Sequence, residues 1–187
     1  PFLESVHMGH AVVCGPRGEI VEAWGDPEAI VLPRSSSKML QALPLITSGA
    51  ADAAGLTTQQ LALACASHQG AAIHTDPVSR WLADLGLSEG DLRCGAQMPD
   101  DRPAKYDLIK TDKSPCQLHN NCSGKHAGYL TLNKHLGAGS EYIEPDHPVQ
   151  KAGLEVFEEL TQMTSPGFVT DGCSAPNFSS SLHGLAR

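Results

Sequence analysis

Five apolar residues, Val149, Ala152, Val156, Phe157 and Leu160, fall on one face of the segment from Pro148 to Met163, because side chains three and four apart share one side of an α-helix. A stripe of this kind is stable in water only when another element covers it. The chain therefore has to build a packed core around at least one long helix. A second helix is expected from Ser123 to Leu136, closed by Gly137. With 187 residues, the chain is expected to form a single domain spanning 1–187.

Other elements are shorter. Ala11 to Cys14, a Gly15-Pro16-Arg17-Gly18 turn and Glu19 to Trp24 read as two strands joined by a turn. Ile30 to Leu32 is apolar and is stopped by Pro33. From Met39, the residues Met39, Leu40, Leu43 and Ile46 recur at helical spacing, with a kink expected at Pro44 and an end at Gly49. Thr57 and Gln60 form a capping-box pattern leading into the apolar run Leu61 to Ala66. Asp76-Pro77 is read as the start of a helix closed by Gly86, and Arg93 to Asn121 as a long polar loop. Phe168 to Thr170 is read as a strand, and Ser181 to Arg187 as the opening of a further amphipathic segment.

Composition excludes several classes. Hydrophobic residues make up 41% and charged residues 18%, as in ordinary soluble domains. The net charge of -8 and the scattered Lys and Arg argue against a nucleic-acid surface. No apolar run is long enough to cross a bilayer. The chain opens Pro1-Phe2-Leu3-Glu4 with no export leader, so a cytoplasmic location is expected. Cys14, Cys65, Cys94, Cys116, Cys122 and Cys173 are too sparse for a disulfide framework, which suits reduced thiols acting mostly as small apolar residues.

Three clusters carry chemistry. In Ser35-Ser36-Ser37-Lys38, Lys38 lies one helical turn from Ser35. Burial would lower its pKa and leave an amine able to take the hydroxyl proton. The same S-x-x-K spacing serves serine β-lactamases, yet Ser-rich helix starts are also ordinary caps. Ser67-His68 reads either as a helix break with a satisfied histidine or as a second hydroxyl relaying protons. Cys122 and Lys125 stand at another helix start, with Cys173 distant in sequence and His126 adjacent. These residues form an incomplete N/S set for zinc unless something else joins them.

Taken in order, these blocks are similar to a known family. They are Glu4-Ser5 with His7 and Gly9, Gly25-Asp26, Pro33 to Lys38, Gln41 to Leu45, Cys65 to His68, Asn121 to Gly128, and Asp171 to Pro176. Their order and spacing resemble the asparaginase II family, the thermolabile, rhizobial-type L-asparaginases. The resemblance implies an α/β (α+β) fold like that of serine β-lactamases and glutaminases, with a mainly antiparallel sheet flanked by helices. It implies an amidohydrolase that converts L-asparagine to L-aspartate and ammonia through a Ser-Lys nucleophile. Carried over by position, Ser35 is the nucleophile, Lys38 its base and Ser67 the hydroxyl of a second Ser-Lys pair. Arg34, His126 and Asp171 line the substrate pocket. Cys122, Lys125 and Cys173 hold zinc, and no organic cofactor is expected. The expected partner is the small-molecule substrate, with no nucleic acid or membrane. A homodimer is implied by the resemblance alone.

Two departures bear on these expectations. Family members are longer, and the lysine that pairs with the second serine has no counterpart in this chain. The fold is therefore expected to be incomplete and this polypeptide alone inactive. Met39 stands where a proline commonly follows the lysine. The alternatives are a glutaminase-like or β-lactamase-like serine hydrolase, or a non-catalytic zinc-stabilised binding domain.

Overall fold

The structure, a computed structural model, describes residues 2–187. Its elements are β1 (Ala11–Cys14), β2 (Ile20–Trp24), β3 (Ile30–Val31), α1 (Lys38–Thr47), α2 (Ala50–Ala53), α3 (Thr58–Cys65), α4 (Ala72–Asp84), α5 (Arg102–Lys110), α6 (Ser123–Leu136), α7 (Pro148–Thr161), β4 (Phe168–Thr170), β5 (Pro176–Phe178), β6 (Ser180–Ser181) and α8 (Leu182–Ala186). Helix and antiparallel sheet are both present, as a mixed fold requires. Among the described residues, however, the strands form three separate two-stranded pairs, β1 with β2, β3 with β6 and β4 with β5, where one mainly antiparallel sheet was expected. Every residue of β2 and β4 is exposed, so these strands bury too little apolar surface to organise a larger sheet.

The centre of the molecule is α6, which touches α1, α2, α3, α4 and α7. Its residues from Ser123 to Leu132 are all buried, although the first turn is Ser-Gly-Lys-His. Two glycines on one face permit this position. A Cβ at Gly124 would collide with the Leu63 carbonyl of α3, and one at Gly128 would come within 3.1 Å of Leu45 Cδ1 of α1. Backbone approach this close places polar side chains of the first turn inside the core, where they must satisfy one another. Leu45, Leu63, Val78, Trp81, Leu82, Leu130, Leu132 and Val149 close the apolar core around them.

Most expected boundaries are observed. The Thr57–Gln60 capping box is formed, Gly49 and Gly137 are left-handed at their helix ends, and Pro44 lies inside α1. The stripe on α7 buries Val149 and Phe157 but leaves Leu160 43% exposed, so the covered face is narrower than its apolar pattern.

Two expectations are corrected. Helix α4 starts at Ala72, with Pro77 inside it and not at its first position. The preceding Gly70 adopts φ +74 against Pro99 and sets the earlier start. The segment from Arg93 to Asn121 is also not one loop. It contains α5, capped by the Asp101 side chain on Ala104 N–H and carrying Pro103 in its first turn. Among the described residues no helix is long and apolar enough to cross a membrane.

Candidate active site

Ser35 occupies a tight 3-10 turn, Arg34–Ser37, that runs directly into α1. Ser36 and Ser37 donate their hydroxyl protons back to the Pro33 and Arg34 carbonyls, at 2.6 and 2.9 Å. Ser35 is exposed. Its hydroxyl makes no hydrogen bond of its own among the described residues. Arg34, just before it, has φ +53, a left-handed conformation that a non-glycine residue adopts at a cost of about 1–2 kcal/mol. Two contacts hold it there. The Arg34 N–H donates to Asn177 Oδ1 at 3.3 Å, and the guanidinium pairs with Asp171 at 2.9 Å. Asp171 also accepts the Gly172 N–H at 2.8 Å. Arg34 and Asp171, distant in sequence, are thus brought together beside Ser35.

Lys38 is 1% exposed, and its backbone N–H donates to the Ser35 carbonyl. The amine reaches the end of α3. It lies 2.6 Å from the Ala66 carbonyl, 2.7 Å from Ser67 Oγ and 3.4 Å from the Asn121 carbonyl. Burial lowers its pKa, and Cys122 nearby opposes the shift. The amine thus donates to three oxygens, two backbone carbonyls and the Ser67 hydroxyl. Ser67 is exposed. The direct Ser–Lys hydrogen bond therefore joins Lys38 to Ser67, not to Ser35.

His68 is a satisfied core histidine. Its Nδ1 accepts the Gly70 N–H at 3.1 Å. Ser123 Oγ donates to the Leu118 carbonyl, which leaves His68 Nε2–H to donate to Ser123 at 2.8 Å. Burial, reinforced by His74, Lys38 and His119, lowers its pKa to about 4.

Cys122, Lys125 and Cys173 converge below this pair, all at least 96% buried. Lys125 Nζ donates to Cys173 Sγ at 3.2 Å. The neighbouring Cys122 side chain holds the Cys173 pKa well below the usual thiol range, and Cys122 is pushed up correspondingly. Burial disfavours the Lys125 charge, but Tyr129, Cys173 and Cys122 outweigh it and raise its pKa. Among the described residues no three His, Cys, Asp or Glu side chains form a metal-binding set. Two sulfurs and one amine nitrogen do meet here, and they suit a thiophilic cation with an open position. His126 Nε2, buried alongside, has no hydrogen-bond partner among the described residues.

The family of L-asparaginase II matches the chain over residues 1–187. This chain belongs to the L-asparaginase II family. The membership makes it, at family level, an amidohydrolase chain of the asparagine-hydrolysing kind with a small-molecule substrate. No curated protein matches it.

The geometry of this L-asparaginase II chain adds residues that sequence reasoning missed. Asn177 fixes the Arg34 backbone, Asn121 contributes a carbonyl to Lys38, and the Tyr142 hydroxyl lies 2.9 Å from His126 Nδ1. Only Asn121, inside the motif Asn121 to Gly128, carried a signal. A cleft of about 490 Å³ lined by Thr57, Trp81, Asp84 and Lys134 lies elsewhere on the surface. It contains none of the clustered side chains above, and its Lys134 is tied to the Leu85 carbonyl at 2.5 Å.

Proposed function

We propose that this protein hydrolyses the side-chain amide of L-asparagine to L-aspartate and ammonia, using a serine hydroxyl activated by Lys38. The observation that carries the reading is the buried Lys38 amine, held 2.7 Å from Ser67 Oγ one tight turn from Ser35. An amine stripped of water and bonded to a hydroxyl is a base suited to neutral pH.

Ser35 is the nucleophile in this reading. Its hydroxyl oxygen forms a bond to the amide carbonyl carbon, and its proton passes to the Lys38–Ser67 pair. Collapse of the tetrahedral adduct breaks the carbon–nitrogen bond, and the departing nitrogen takes the proton from Lys38 as ammonia leaves. Water then attacks the Ser35 ester, giving its proton to the same pair; the bond from the acyl carbon to Ser35 Oγ breaks, Ser35 takes that proton back, and aspartate is released. The Ser35 backbone N–H, in the turn before α1, would stabilise the oxyanion, contributing roughly 3 kcal/mol. Arg34 and Asp171, paired at the rim, supply opposite charges for the α-carboxylate and α-ammonium of an amino-acid substrate. Cys122, Lys125 and Cys173 would hold zinc, which supplies a Lewis acid beside the pocket.

The direct Lys38–Ser67 bond favours a second reading in which Ser67 is the attacked hydroxyl and Ser35 assists. Trapping the acyl-enzyme with asparagine, followed by peptide mapping, separates the two. An adduct on Ser35 that vanishes in Ser35→Ala supports the first assignment, and one on Ser67 replaces it by the second. Assays with asparagine, glutamine and a chromogenic β-lactam test the substrate class. Turnover of the lactam alone would discard the asparaginase reading.

A further inference from the structure

Tyr142 is fully buried, and nothing in its sequence surroundings singles it out. Its hydroxyl accepts the Arg93 backbone N–H at 2.8 Å and lies 2.9 Å from His126 Nδ1. Its own carbonyl accepts the Gln150 side-chain N–H at 2.7 Å, so the residue is fixed at both ends. A phenol has one proton to donate. Of its two neighbours only Nδ1 can receive it, because Arg93 presents an N–H. Were Nδ1 itself protonated, the phenol O–H would be buried with no acceptor, an arrangement that folded interiors avoid. The imidazole is fully buried, and the phenol leaves its Nδ1 without a proton. A neutral ring whose Nδ1 lone pair is taken by a phenol carries its proton on Nε2. That Nε2 has no hydrogen-bond partner among the described residues.

We propose that Tyr142 is a positioning residue: it holds His126 in the Nε2–H tautomer, so that this histidine offers a hydrogen-bond donor, and no metal-binding lone pair, to a substrate oxygen bound beside Cys173. His126 is thereby barred from completing the Cys122–Lys125–Cys173 donor set, although it lies next to it in sequence and space. The acceptor it awaits is a carboxylate or amide oxygen. A donor placed for an oxygen rejects a ligand lacking one there, because Nε2–H would then stay unpaired. The identity of the acceptor rests on the amidohydrolase reading; the tautomer does not.

The test is long-range 1H–15N correlation of the histidine side chains in the whole protein, before and after zinc addition. Protonated Nε2 with a hydrogen-bonded, unprotonated Nδ1 in both states is the expected result. Tyr142→Phe should shift His126 toward Nδ1–H or into exchange, and should raise KM for asparagine about tenfold with kcat changed less. His126→Gln, which keeps an N–H donor, should preserve KM better than His126→Phe. Nδ1–H in the parent, loss of the Nε2 proton on adding zinc, or an unchanged tautomer in Tyr142→Phe would each overturn the proposal. The parent spectrum decides the tautomer even if Tyr142→Phe does not fold. A parent with the expected tautomer but no turnover of asparagine or glutamine would remove the amidohydrolase reading and leave the role of Tyr142 standing.

Discussion

Lys38 binds the Ser35 turn through its backbone N–H and the Ser67 hydroxyl through its amine, 2.7 Å away. One residue thus joins the backbone of one candidate serine to the hydroxyl of the other, which the chain separates by α1, α2 and α3. Replacing it tests the site more sharply than replacing either serine. Lys38→Met should lower kcat by about 10²–10⁴, the usual contribution of a positioned base. Stability should fall by only about 1–3 kcal/mol, the cost of leaving the Ala66 carbonyl without its amine donor. Steady-state kinetics beside a urea melt checks both halves. A large loss of stability would mean that Lys38 is structural.

Gly124 sets how closely α6 approaches α3. A methyl group there meets the Leu63 carbonyl and cannot be relieved by a rotamer change. Gly124→Ala is expected to cost about 2–4 kcal/mol, in the range of overpacked core sites. A Cβ at Gly137, which caps the end of α6, meets nothing within 4 Å. Gly137→Ala should cost only the left-handed conformation, about 1–2 kcal/mol. Denaturant midpoints for the two variants provide the comparison.

His68 gives the stability a pH dependence with a definite sign. Its folded pKa is lowered to about 4, from the ordinary 6.5. Between these values the unfolded chain binds a proton that the folded protein refuses, so stability falls as pH falls. The contribution is complete above pH 6.5 and is lost toward pH 4. After discounting for solvent screening it amounts to about 2 kcal/mol. His68→Gln should flatten the melting temperature between these limits; a slope as steep as the parent's would show that other groups govern acid unfolding.

The cysteine–lysine cluster makes metal binding a proton-releasing event. The surroundings lower the pKa of Cys173 and raise those of Cys122 and Lys125. Zinc needs all three unprotonated. Binding at neutral pH should therefore release about two protons per zinc, measurable by calorimetry in buffers of different ionisation enthalpy. Release near zero would argue that zinc does not take Cys122 and Lys125 together. Cys122→Ser should weaken zinc binding and reduce the release by about one proton.

Local signals in the chain were strong where chemistry acts over a few residues. The Thr57–Gln60 capping box, the glycine stops of α1 and α6 and the α6 boundaries follow from capping, positive φ and periodicity, each settled within one or two turns. Asp101-Arg102-Pro103 carries an equally good start signal for α5, but that helix buries only Leu108, so no apolar stripe separates it from a loop in the sequence. Asp76-Pro77 was a good start signal in the wrong place, because Gly70 against Pro99 begins the helix earlier.

The sequence by itself determined which residue types were available: a serine one turn from a lysine, a cysteine and lysine at a second helix start, and the ordered blocks that mark the family. Only the tertiary structure decided who meets whom. The Lys38 amine turns to Ser67, Asn177 holds the Arg34 backbone, and Tyr142 meets His126. The physical reason is that helix caps and stripes are fixed by neighbours along the chain. Hydrogen bonds between buried groups depend instead on how closely α6 can pack against α1 and α3, which Gly124 and Gly128 control across the whole core.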